Sequence, residues 1–117
     1  ARRRPDASGH TSLAVALVDR VVRDPGMTTM ATLAKASGLS PRVLQRLFRD
    51  HVGASPKWVI RRHRLQEVAV RIERGEVISL ADLAADLGYT DQAHLARDFK
   101  SAVGKSPSAF ATMLKRG

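Results

Sequence analysis

Four side chains able to read hydrogen-bond patterns fall on one side of a short helix. Arg42, Gln45, Arg46 and Arg49 follow the spacing i, i+3, i+4, i+7, which at about 100° per residue places them on one face. Leu44, Leu47, Phe48 and His51 fall opposite, on the side that has to be buried. A guanidinium can bind O6 and N7 of guanine bidentately, and a carboxamide can bind N6 and N7 of adenine. A solvated basic face is the common fate of such residues. Here the surroundings favour recognition: no acidic residue shares the face, and the helix follows a helix and a glycine turn.

That unit occurs twice. Residues 32–56 read TLAKASGLSPRVLQRLFRDHVGASP, and residues 82–107 read DLAADLGYTDQAHLARDFKSAVGKSP. Leu33, Ala34 and Gly38 return 50 positions later as Leu83, Ala84 and Gly88. Leu44, Arg46, Phe48, Val52, Gly53, Ser55 and Pro56 return 51 positions later as Leu95, Arg97, Phe99, Val103, Gly104, Ser106 and Pro107. A repeat of this length is one supersecondary unit used twice. Two crossing helices need a small residue where they touch and a turn residue tolerant of φ > 0, and Ala34 with Gly38, then Ala84 with Gly88, meet both needs. In the second copy Ala93, Ala96, Arg97 and Lys100 stand where the first has Arg42, Gln45, Arg46 and Arg49. Arg97 remains a base reader, Gln92 and His94 join it near the helix start, and Ala93 can touch a thymine methyl. Leu95, Phe99, Ala102 and Val103 make the expected core side. The first unit is therefore expected to carry most direct readout, and the second to hold phosphates and set register.

The elements that must position these residues are helical. Residues 1–10, with Arg2-Arg3-Arg4, Pro, Ser and Gly, read as a basic linker or tail. A first helix is predicted from about Thr11 to Arg23, with an apolar stripe of Leu13, Leu17, Val18, Val21 and Val22, ended by Asp24-Pro25-Gly26. A second runs from about Thr29 to Ser37. Ser40 as N-cap and Pro41 at the first position open a third, which Gly53 stops. Ser55-Pro56 opens a long fourth helix to about Arg74, with Val59, Ile60, Leu65, Val68, Ala69 and Ile72 giving apolar contacts at both ends. Such a helix spans ~27 Å, comparable to the ~34 Å separating successive major-groove segments on one duplex face. Ser79 caps a fifth helix, Thr90 a sixth and Ser106 a short seventh that buries Phe110 with Met113 or Leu114. The class is all-α, about seven helices, organised as a first helix-turn-helix unit (11–56), a connector helix (57–75) and a second unit (76–117). Lys57, Arg61, Arg62 and Arg64 cluster at the connector's start, near phosphates or solvated. Trp58, beside Val59 and Ile60, is expected to pack.

Composition narrows the chemistry. In 117 residues, 20 Lys and Arg stand against 11 Asp and Glu, a formal charge of +9 that favours a polyanionic partner. Cysteine is absent, which excludes disulfide and thiolate chemistry. His10, His51, His63 and His94 lack zinc-ligand spacing. No nucleophile, acid–base or phosphate-cradling pattern stands out, so neither an enzyme nor a cofactor is expected. No apolar run approaches a membrane span. The chain opens on Ala1 rather than Met, which fits a segment of a longer protein.

The residues resemble the DNA-binding domain of AraC/XylS-type transcription regulators over about 12–114. The sharpest match is Gly88-Tyr89, Asp91-Gln92, His94-Leu95, Arg97, Phe99-Lys100, Gly104, Ser106-Pro107 and Phe110. Ala34, Gly38, Ser40, Leu44, Arg46, Phe48, Gly53 and Ser55-Pro56 carry it in the first copy. The resemblance implies a cytoplasmic, nucleoid-associated bacterial regulator that binds double-stranded DNA with two recognition helices in successive major-groove segments. It points to Arg42, Gln45 and Arg46, then Gln92, Ala93, His94 and Arg97, as base-facing, with Arg49 and Lys100 beside them. RNA polymerase is an expected partner. Members usually carry a separate N-terminal sensor or dimerisation domain, and no residues here match one. Two other readings stay open: a sequence-indifferent architectural DNA binder, and a basic protein-interaction module.

Overall fold

The computed structural model describes residues 5–76 and 79–116. Its elements are α1 (Pro5–Arg23), α2 (Met30–Ser37), α3 (Pro41–His51), α4 (Pro56–Glu73), α5 (Leu80–Asp86), α6 (Gln92–Val103) and α7 (Pro107–Arg116). Every regular element among the described residues is helical, as expected. None is long and apolar enough to cross a membrane. The chain divides into two compact units, Ala1–Arg61 and Arg62–Gly117. The division falls inside α4.

Caps and glycines set the helix ends. The Thr29 hydroxyl accepts from the Thr32 N–H, and Thr32 returns a bond to the Thr29 backbone, closing a capping box at α2. Ser40, Ser79 and Asp91 cap α3, α5 and α6 by accepting from the N–H three residues on. Gly38 and Gly88 adopt φ of 73° and 79°, the left-handed turn between the two helices of each motif. At α6 the cap is Asp91, not the expected Thr90; a carboxylate competes better for the free N–H groups at a positive helix end. Thr90 is the extra residue of the second copy, and it is exposed.

The start of α1 also differs. Residues 1–4 lie outside the described residues. Residues 5–10, expected in the tail, are helical. The fixed φ of proline suits a first helical turn, so Pro5 opens α1 rather than blocking it, and Gly9 is carried inside at a cost of about 1 kcal/mol. The buried line of α1 is Ala14, Leu17 and Val21, while Leu13 and Val22 of the expected stripe are exposed.

Each unit closes over its own core. In the first, Leu17, Val21, Leu33, Leu44, Phe48 and Ile60 are buried together. In the second, Leu65, Val68, Leu83, Leu87, Leu95 and Phe99 are, with Phe110 packed on them. The Phe99 and Phe110 rings meet edge to face at 5.5 Å, worth about 0.5–1.5 kcal/mol beyond burial. Helix α4 supplies Ile60 to one core and Leu65 and Val68 to the other. Ala102, Val103, Met113 and Leu114 are exposed rather than buried, because both helices run out past their cores in their last turns.

Phe48→Ala and Phe99→Ala each remove a wholly buried ring and should cost about 3–5 kcal/mol in urea denaturation. Asp24 accepts from the Gly26 N–H at 2.8 Å and from Arg20 at 2.9 Å. The Gly26 bond first, then Arg20, hold its carboxyl below the ordinary 3.8. A depressed carboxyl stabilises above its unfolded pKa and loses that contribution as pH falls. The wild type's margin over Asp24→Asn should therefore be present at neutral pH and shrink below about pH 4.

Candidate nucleic-acid interface

In the first unit the expected residues come together. Leu44, Leu47 and Phe48 turn α3 inward, and Arg42, Gln45, Arg46 and Arg49 are all exposed on its other side. These four line one open concavity of about 720 Å³ with Gly53, Ala54 and Ser55, the turn that leads into α4. Three guanidinium groups and one carboxamide thus border a space that the turn Gly53-Ala54-Ser55 closes on one flank. Such an arrangement suits an anionic, groove-bearing ligand.

Electrostatically the site is almost purely cationic. One carboxylate intervenes: Asp50 accepts from Arg49 Nε at 3.1 Å, with both side chains largely exposed. An exposed pair of this kind is worth about 0–1 kcal/mol, so Arg49 can exchange it for another anion. His51 was expected on the core side. It is half-buried, hydrogen-bonded to the Thr11 hydroxyl at 3.0 Å and edge-on to His10 at 6.0 Å, so it fastens α3 to α1.

In the second unit Leu95 and Phe99 anchor α6. Gln92, Ala93, His94, Arg97 and Lys100 are exposed and Ala96 is half-buried. The cationic surface is thinner on this helix than on α3. Lys105, in the turn after α6, is exposed. It occupies the place of Ala54, which borders the concavity of the first unit. From position 91 to 111 it is the one place where the second copy gains a Lys or Arg. Helical periodicity gives no signal for it because it lies in a turn; the alignment of the two copies' turns does.

Two expectations on α4 change. Trp58 is 51% exposed rather than buried, since Pro56 and Ile60, one turn apart, are on the buried side of α4 and Trp58 falls about 180° from both. Arg64, expected at phosphates or in solvent, is half-buried with its guanidinium carbon 4.5 Å from the centre of the Tyr89 ring. Tyr89 itself is buried and donates to Asp98 Oδ2 at 2.8 Å. Lys57 and Arg62 are exposed, while Arg61 and His63 are half-buried. Among the described residues no group of His, Asp and Glu is arranged to hold a metal.

Residues 33–113 match the pattern of the helix-turn-helix domain family. The chain is 32% identical over 82 residues to the XylDLEGF operon transcriptional activator of Pseudomonas putida, a match covering 68% of this chain and 26% of that protein. It is 34% identical over 79 residues to the probable transcription factor PqrA of Proteus vulgaris, covering 68% of this chain and 64% of that protein. The chain thus spans about a quarter of the length of the Pseudomonas activator. Among solved structures, the C-terminal domain of AraT, a response regulator from Geobacillus stearothermophilus, superposes with a TM-score of 0.74 at 19% identity, covering 97% of this chain and 88% of that one. An AraC-type transcriptional regulator from Chromobacterium violaceum gives 0.66 at 18% identity, covering 95% and 96%. At these identities the structural likeness is one of fold. The sequence match over residues 33–113, in a chain that carries the helix–turn–helix motif twice, makes it a member of the AraC/XylS-type helix-turn-helix domain family.

Proposed function

We propose that this chain binds double-stranded DNA sequence-specifically and regulates transcription, with α3 and α6 as recognition helices in successive major-groove segments. The observation that carries it is the convergence of Arg42, Gln45, Arg46 and Arg49 on one concavity opposite a buried Leu-Phe face. The most direct readout falls to the first unit. The second reads through Gln92, Ala93, His94 and Arg97 and holds phosphates through Lys100 and Lys105. Family membership supports RNA polymerase as the partner through which transcription is changed and a bacterial cytoplasm, at the nucleoid, as the setting. It also supports a separate sensor or dimerisation domain acting with this one. The family is one of regulators, not enzymes.

Selection of bound duplexes from a randomised library at stated salt should return a preferred sequence. Equal affinity for all duplexes with a steep salt slope would instead indicate charge-driven architectural binding. On the selected duplex, Arg46→Ala should cost about 1–3 kcal/mol and relax preference at one or two base pairs. Unchanged affinity would favour a protein partner for the basic face. Arg49→Ala should weaken all duplexes alike and lower the salt slope by about one. Base-pair changes beneath the first unit should carry larger penalties than those beneath the second.

A further inference from the structure

We propose that Tyr89 is a positioning residue that holds His94 as a specificity-determining side chain of the second unit. The proposal rests on the DNA-binding reading above and names a residue pair within it.

The two copies solve the same spot differently. Leu39 and Tyr89 each follow the turn glycine, and the caps Ser40 and Asp91 fix the register beyond it. Val43 then corresponds to His94, and Leu47 to Asp98. In the first unit Leu39, Val43 and Leu47 line a cavity of about 220 Å³. In the second the same places carry a connected polar set. The Tyr89 hydroxyl donates to Asp98 at 2.8 Å. The Tyr89 and His94 rings lie 5.1 Å apart and perpendicular, at 89°. The Arg64 guanidinium lies over the Tyr89 ring at 4.5 Å.

The apolar set in the first copy shows that the motif closes without these polar groups. A carboxylate in place of a buried leucine is unfavourable unless it is hydrogen-bonded, so Asp98 and Tyr89 belong together. What the exchange adds, and Leu with Val cannot supply, is an imidazole in the first turn of α6, three residues before Arg97 and so on the same side. The N-terminal residues of a recognition helix are the ones that meet base edges. An imidazole offers a donor and an acceptor. His94 is exposed, and an exposed side chain that must be ordered on binding loses affinity. The Tyr89 ring, 5% exposed and 5.1 Å from the imidazole, restricts it beforehand.

The test uses the whole chain and the duplex it selects, with competition against single base-pair changes and thermal melting of each variant. His94→Ala should relax preference at one or two base pairs by on the order of tenfold, with affinity for unrelated duplex unchanged. Tyr89→Phe keeps the ring and should retain the preference. Tyr89→Leu should relax the same base pairs, and His94→Ala added to it should bring no further loss. Tyr89→Leu with His94→Val and Asp98→Leu installs the first unit's own residues, so it should fold and lack the preference. Additive effects of Tyr89→Leu and His94→Ala would overturn the proposal. So would equal weakening on every duplex, or a triple variant with wild-type preference. Selective binding untouched by His94→Ala would overturn the role of His94 alone, whereas a wild type selecting no duplex would overturn the DNA reading and this proposal with it.

Discussion

Phe48 and Phe99 are fully buried, and each commits one face of a short helix to a core. An eleven- or twelve-residue helix has few turns in which to do this. Once Leu44, Leu47 and Phe48 are inside, the residues about 180° away have to be outside. The exposure of Arg42, Gln45, Arg46 and Arg49 is thus a consequence of hydrophobic burial, and it needs no interaction of its own. The glycine turn before the helix fixes where that face begins. The cap at Ser40 or Asp91 fixes its phase to the residue.

The two units share this frame and diverge on its surface. Phe, Leu, Gly and the Ser-Pro pair recur, because the packing of each motif requires them. The exposed positions are free to change, and on the face that carries Arg42 and Gln45 they lose side chains able to read bases. Arg42 gives way to Ala93 and Gln45 to Ala96, while Lys105 is gained where Ala54 stood. Arginine's planar fork matches a guanine edge, while a lysine ammonium is a point charge suited to phosphate. Under the proposed DNA-binding function, removing forks from the helix and adding an ammonium to the turn shifts a unit from reading bases toward holding backbone. Asp50 has no counterpart in this respect: Ser101 stands in its place, so Lys100 lacks the adjacent carboxylate that Arg49 has to leave.

Much of the fold was legible because its signals are local. Ser40-Pro41, Ser55-Pro56 and Ser106-Pro107 each pair a cap with a residue restricted to a first turn, and helices begin at all three. Burial on α3 followed from periodicity alone. Reading failed where a residue's role depends on something far along the chain. Trp58 has apolar neighbours in sequence, but the buried side of α4 runs through Pro56 and Ile60, about 180° away from it. Arg64 was counted with the basic cluster, although its partner Tyr89 lies 25 positions on. Pro5 and Gly9 are breakers by type, but Pro5 stands at the helix start, where it is tolerated, and Gly9 lies within a helix held by Ala14, Leu17 and Val21.

Asp98 shows the limit of pattern reading most clearly. Helical phase gives it the place of Leu47, and hydropathy would count it as an interruption of the core. A polar residue at a core phase is an error only when it lacks a partner. Here the partner precedes it by nine residues, across the turn, in a tyrosine that periodicity assigns to no face at all. The two departures from the apolar pattern compensate each other, and neither makes sense singly. In a repeated motif the faithful copy supplies the reference: where Leu39 and Leu47 suffice, replacement by Tyr89 and Asp98 points to a demand other than closing the core. The residue that completes the set, His94, stands in the first turn of α6 beside the proposed base readers, so that demand is placed at the ligand surface rather than in the fold.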